Sequence, residues 1–254
     1  MADPDRVVLV TGAAGGLGAA VARRLAEPGT ALVLCDLSGS GLSEVAGSLD
    51  VPTLTRVVDV GDAVQVDAAV AAAVEEFGGL NVMVNNAGVI APNARIHNLT
   101  AADWDLQVRV NLMGVVHGMT AAIRVMRKAG GGSIVNTASV AGLTAWAYAA
   151  PYCATKAAVV HLTKVAAVEY AKERIRVNCV CPGTFSSGMS EKIPREAMAA
   201  LEAKHPLGFG TPDDLAGAFA YLAGDESRWS STAVTRPHEN KPVSGDGRHD
   251  DHRR

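Results

Sequence analysis

Arg6-Val-Val-Leu-Val-Thr11-Gly12-Ala13-Ala14-Gly15-Gly16-Leu17-Gly18 is a short apolar run that breaks into glycines, and the residues after it, 17–26, resume with helical spacing. The reading is strand, loop, helix. A helix N-terminus presents unpaired N–H groups and a partial positive charge, so such a turn suits a dinucleotide pyrophosphate when side chains do not block its approach. Gly12, Gly16 and Gly18, with Leu17 between the last two, meet that need. A glycine turn that binds nothing is the plain alternative, and only its surroundings can decide.

Working outward, residues 31–36, 54–58 and 80–85 read as further buried strands, with helical segments near 40–49 and 63–77 between them. Long helices are expected over about 101–128, a fifth strand over 133–138, a long helix over 150–172 and a sixth strand over 175–180. Parallel neighbours need crossover connections, and those are right-handed, so the alternation predicts an α/β, doubly wound parallel sheet of Rossmann type in a single domain. Thr211-Pro212-Asp213-Asp214 combines an N-cap, a proline at the first helical position and acids in the first turn, starting a helix expected to end near Ala223.

The chain has 254 residues, 48% of them hydrophobic, and no linker-like stretch divides the first 229 positions. One domain over 1–229 is therefore expected. A net charge of -3 leaves no electrostatic footprint for nucleic acid or an anionic membrane. The N-terminus has acids where a signal peptide needs bases, and no apolar run approaches membrane-spanning length, so a cytoplasmic protein is expected. Cys35, Cys153, Cys179 and Cys181 lack paired CxxC spacing and read as buried small hydrophobes. The histidines show no ligand spacing, and no metal is expected. From Ser230 to Arg254 only Ala233, Val234 and Val243 are hydrophobic. Such a stretch cannot offset the cost of ordering its backbone, so 230–254 is expected to be a polar, disordered tail.

Tyr152 and Lys156, four residues apart, share one face of a helix, and Ser139 precedes the tyrosine by thirteen residues. A phenol of pKa about 10 is a poor base at neutral pH, and a neighbouring ammonium lowers that value. Taken singly, a Tyr-x-x-x-Lys is common on helix surfaces, Ser139 could cap a turn and Asn111 could be a packed amide. Their order and spacing on one chain, after the TGxxxGxG segment, closely resembles the classical short-chain dehydrogenase/reductase family over residues 6–229.

The resemblance implies an NAD(P)-dependent enzyme that moves a hydride between nicotinamide and a secondary alcohol or ketone. Tyr152 would be the general acid/base, Lys156 its electrostatic partner and a holder of the nicotinamide ribose, and Ser139 the group that orients the substrate oxygen. Asn111 would hold a water connecting the lysine to solvent. Asp59 and Val60 would contact adenine, and Asn86, Ala87 and Gly88 match a motif whose asparagine bonds the central sheet. Pro182, Gly183 and Thr184 would meet the carboxamide. Asp36, eighteen residues past Gly18, ends the second strand, where a carboxylate can bond both ribose hydroxyls and repel a 2′-phosphate. Ala13, Ala14 and Leu37 supply no base for such a phosphate, so NAD is the expected cofactor.

Substrate contacts are expected from 89–98, 140–148 and a lid over 184–205, with Ile90, Leu143, Trp146, Phe185 and Met189 forming apolar walls. Family members continue after Asp225-Glu-Ser227 into a final strand that is missing or degenerate here, with 231–235 the only remnant. A homo-oligomer formed through the helices at 101–128 and 150–172 is implied, acting on a small-molecule alcohol or ketone. Two rival readings are an NADPH-dependent 3-ketoacyl reductase, which Asp36 disfavours, and a cofactor-binding protein whose altered C-terminus impairs turnover.

Overall fold

A computed structural model of the chain describes residues 4–90, 94–185, 202, 208–232, 234 and 235. Its strands are β1 (Arg6–Thr11), β2 (Thr30–Asp36), β3 (Thr53–Val57), β4 (Val82–Asn85), β5 (Gly132–Thr137), β6 (Ile175–Val180) and β7 (Val234–Thr235). All pair in parallel, in the order β3-β2-β1-β4-β5-β6-β7. The helices are α1 (Gly16–Leu25), α2 (Gly39–Gly47), α3 (Ala63–Phe77), α4 (Ala101–Gln107), α5 (Gly114–Ala129), α6 (Ala150–Tyr170) and α7 (Pro212–Ala223). The expected doubly wound sheet is thus present.

Strand side chains alternate between two cores. Leu9, Val33, Met83, Ile134 and Val177 pack toward α3, α5 and α6, whereas Val8, Leu32, Val84, Val135 and Val180 pack toward α1, α2 and α7. Burial on both faces explains why the strands read as continuous apolar runs. Local signals fix several helix ends: Thr100 and Thr211 form capping boxes with Asp103 and Asp214. Asp62 accepts from the Val64 amide at 2.9 Å at the start of α3, and Gly78, at φ 82°, closes it.

Two elements depart from expectation. The helical stretch over 101–128 is interrupted by a π-helical segment, Val108–Met113, that carries Asn111. Within it the Asn111 side chain grips the Val89 backbone in both directions, and such wide turns are frequent at functional sites. The second departure lies at the carboxyl end, where sheet pairing extends past position 229. The Ser230 carbonyl accepts from Asn178 Nδ2 at 2.8 Å. The Thr232 amide donates to the Val177 carbonyl at 3.0 Å, and Val234 and Thr235 pair with Cys179 and Val180. A last strand is therefore present, described over Val234–Thr235. Backbone groups on the free side of β6 need partners whatever side chains the incoming segment bears. Residues 236–254 of the expected tail, and the lid residues 186–201 with Met189, lie outside the described residues.

Candidate active site

The strand order reverses at β1 and β4, and the crevice beyond their carboxyl ends holds the glycine turn. Gly12 has φ 66°, and an added Cβ would lie 2.8 Å from Ala87 Cα. At Gly18 a Cβ would collide with the Gly12 carbonyl. These two glycines serve close packing of loop, helix and β4. Above Gly15 and Gly16, by contrast, a Cβ would meet nothing within 4 Å. The space over the N-terminus of α1, where Gly16 and buried Leu17 begin the helix, is open to an anion, so the described residues fit a dinucleotide pyrophosphate.

Behind the turn, Asn86 Nδ2 donates to the carbonyls of Thr11 at 3.0 Å and Gly12 at 3.2 Å. The Thr11 hydroxyl accepts from the amides of Asn86 at 3.0 Å and Ala87 at 3.1 Å. The asparagine thus does the sheet-bonding work its motif implies. At the end of β2, Asp36 Oδ2 accepts from the Ala14 amide at 3.0 Å and Oδ1 from the Ser38 amide at 3.2 Å. Each oxygen keeps a lone pair for a ribose hydroxyl.

Asp59 lies in a tighter setting than the sequence suggests. Arg109 Nη1 approaches its Oδ2 at 2.5 Å, and the Gly61 amide donates to Oδ1 at 2.8 Å. The hydrogen bond from Arg109 is the main reason the carboxyl is held below its ordinary value. Val60 is fixed alongside, its carbonyl 2.9 Å from His117 Nδ1. The ring must donate through that nitrogen. Arg109 escapes sequence reading because it meets Asp59 across fifty positions, with no motif linking them.

Around the reacting centre, β5 ends just before Ser139, which caps a short 3₁₀ turn, Val140–Gly142, by accepting from the Ala141 amide at 3.1 Å. Tyr152, on the first turn of α6, lies near the Ser139 hydroxyl. Burial raises the phenol's pKa by more than the serine hydroxyl lowers it, so the net direction is upward. The lowering expected from Lys156 does not dominate. The ammonium sits 5.8 Å from the ring centroid and donates to the Thr137 carbonyl at 2.8 Å. Burial pushes its own pKa down to about 8.

Asn111 is fully buried, accepting from the Val89 amide and donating to its carbonyl, both at 2.8 Å. Its side chain is thus a packed amide, set next to the lysine. A Cβ on Gly88 would lie 3.3 Å from Asn111 Oδ1 and 3.6 Å from Lys156 Nζ. The Pro182 carbonyl accepts from the Val140 amide at 3.0 Å, which brings Pro182, Gly183 and Thr184 beside Ser139. Leu143 and Phe185 pack partly against the two cores, and Ile90 is half-exposed. Cys35, Cys179 and Cys181 are buried and Cys153 is half-buried; all are free thiols.

A family model described as enoyl-(acyl carrier protein) reductase matches residues 12–235. The chain is 40% identical over 234 residues to cis-4-hydroxycyclohexanecarboxylate dehydrogenase of Sinomonas cyclohexanicum, covering 91% of this chain and 94% of that protein. Levodione reductase of Leifsonia aquatica is 37% identical over 244 residues, 91% of each chain. The crystal structure of NAD+-bound xylitol dehydrogenase superposes with a TM-score of 0.88 at 29% identity, covering 94% of this chain and all of that one. The chain belongs to the classical short-chain dehydrogenase/reductase family. It is an oxidoreductase acting on CH–OH groups.

Proposed function

We propose that the protein uses NAD to interconvert a small cyclic secondary alcohol and its ketone. The observation that carries this is the buried Lys156 ammonium, 5.8 Å from the Tyr152 ring centroid and near Ser139, beside a glycine turn open to a pyrophosphate. When bound, the nicotinamide ring supplies the hydride chemistry. Tyr152 moves the matching proton at the substrate oxygen, and Ser139 orients that oxygen by hydrogen bonding. Lys156 stabilises the phenolate and is placed to hold the nicotinamide ribose. Asn111 fixes the loop at Val89 beside that lysine, and its position is consistent with a water path from the lysine to solvent. A ring-shaped substrate is favoured by the apolar side chains expected to surround it, Ile90, Leu143, Trp146 and Phe185, and by the cyclohexane ring in the name of the Sinomonas relative.

Replacing Tyr152 by Phe removes only the hydroxyl. NADH binding, read by fluorescence, is expected to persist while turnover of cyclohexanol falls by roughly two to four orders of magnitude. Near-normal turnover would show that another group moves the proton. NADH binding by the unmodified protein without turnover of any secondary alcohol would support the cofactor-binding reading instead.

The preference for NAD rests on Asp36, whose carboxylate is aimed by two backbone amides and would repel a 2′-phosphate. The catalytic efficiency with NAD is expected to exceed that with NADP at least tenfold, and Asp36→Ala with Leu37→Arg to erode the difference. Equal efficiency with both cofactors in the unmodified protein would overturn this and favour the ketoacyl reductase reading. Assembly is proposed through α5 and α6. A groove between them is lined by Val116, Met119, Ile123, Leu162 and Val165 together with Arg124, Arg127 and Glu169, and Val168 on α6 is 75% exposed. A second copy would cover these side chains.

A further inference from the structure

Tyr148 lies four residues before Tyr152, in the loop that joins the Ser139 turn to α6. Its backbone is left-handed, with φ 68°, a conformation that bulky residues rarely adopt. Two other non-glycine residues among those described share that sign, Arg174 and Thr232. Arg174 closes a helix and Thr232 leads into β7, and neither borders the reacting centre.

Both ends of the Tyr148 loop are anchored. On one side the amides of Leu143 and Thr144 donate to the Val140 carbonyl, each at 2.9 Å. On the other the Ala149 amide donates to the Trp146 carbonyl at 3.4 Å, and the Cys153 amide to the Ala149 carbonyl at 2.9 Å. Between these anchors, the Tyr148 carbonyl accepts from the Ala94 amide at 3.0 Å. Ala94 belongs to the chain that follows β4 past Gly88 and Val89, so this bond ties that chain to the loop before α6. The Tyr148 side chain is 58% exposed, which rules out core packing as the reason for its size. The turn itself would favour glycine or asparagine. A large, exposed aromatic side chain thus stands, at a conformational cost, where the chain after β4 meets the loop leading to Tyr152.

We propose that Tyr148 is a specificity-determining residue, its ring narrowing the mouth of the cleft and limiting the bulk a cyclic alcohol carries away from its reacting carbon. The proposal rests on the function assigned above, and its test separates the two. Affinities of cyclohexanol and 4-tert-butylcyclohexanol are measured calorimetrically for the dead-end complexes with NADH, which need no turnover. They are compared for the unmodified protein, Tyr148→Ala and Tyr148→Gly; alanine keeps the backbone strain and removes the ring, whereas glycine removes both. Both variants are expected to shift the ratio of affinities at least tenfold toward the bulky alcohol, with NADH affinity unchanged within twofold. The glycine variant should melt a few degrees above the alanine variant, because only it relieves the left-handed residue.

A ratio unchanged in both variants would overturn the proposal while leaving the function standing. A ratio that moves with glycine alone would overturn it too, because loop freedom would then set selectivity in place of the ring. Absence of binding by either alcohol to all three proteins would overturn the proposal together with the function beneath it.

Discussion

Burial of the Lys156 ammonium lowers its pKa from an ordinary 10.5 to about 8, so between those values the unfolded chain holds a proton that the folded protein has released. Stability then rises with pH across that window. The cost of burying the charge is present in full below pH 8 and is relieved as pH climbs toward 10.5. Lys156→Met has no such cost. Its melting temperature, measured relative to the unmodified protein, should therefore be higher at pH 7 than at pH 10, by an amount reflecting on the order of 3 kcal/mol at most. A gap independent of pH would show that the ammonium is better solvated than its surroundings imply. At Asp59 the signs reverse. Arg109 depresses the Asp59 carboxyl, and their attraction is lost as pH falls through the folded-state value. The pair is partly exposed, so Arg109→Ala should cost under about 1 kcal/mol in stability. Its larger effect is expected on NADH affinity, checked by fluorescence titration, because the 59–61 loop loses its brace. Gly12, Asp36, Tyr152 and Lys156 were legible in the sequence because each is constrained by spacing within one or two elements. Arg109 and the backbone of Tyr148 were not, since only the folded arrangement gives one its partner and the other its turn.

Among the elements, α5 shows how a single missing methyl permits a contact. At Gly118 a Cβ would strike Asn85 Oδ1 and lie 2.6 Å from Met83 Cε. Asn85 has no room to yield, because its Nδ2 donates to Asn136 Oδ1 at 2.9 Å and Asn136 Nδ2 donates to the Thr163 hydroxyl at 3.0 Å. This buried polar chain ties β4, β5 and α6 together. Gly118→Ala should accordingly cost about 1–3 kcal/mol by urea denaturation. Gly217→Ala in α7, where a Cβ meets nothing within 4 Å, should instead gain about 0.5–1 kcal/mol. Equal and opposite results would mean that α5 can slide on the sheet. Helix ends with local signals, such as Thr211 with Asp214, could be read from sequence to within a residue or two. The π-helical segment could not, because no local signal marks it and the Asn111–Val89 tie it carries spans separate elements.

For the whole molecule, assembly is expected through the groove between α5 and α6, where Val116, Met119, Ile123, Leu162 and Val165 lie beside Arg124, Arg127 and Glu169. A dimer through that groove is expected in preference to a tetramer, as sedimentation would reveal. Removal of residues 236–254, rich in charge, proline and glycine, should leave both the melting temperature and NADH affinity unchanged. A loss in either would assign that segment a part in the fold.

The reversal of strand order also has a meaning for engineering. The sheet's two halves are stitched at β1 and β4 by three residue pairs, with Thr11 and Asn86 knotting the ends, and the chain crosses between the halves at Gly78 and Gly79. That is a natural seam for division. Two fragments cut there would each keep contiguous strands but only part of the cofactor cradle, with Gly16 and Asp36 on one and Lys156 on the other. Reassociation measured with and without NADH should therefore be much tighter with it, which would make the divided protein a sensor in which the dinucleotide is the glue.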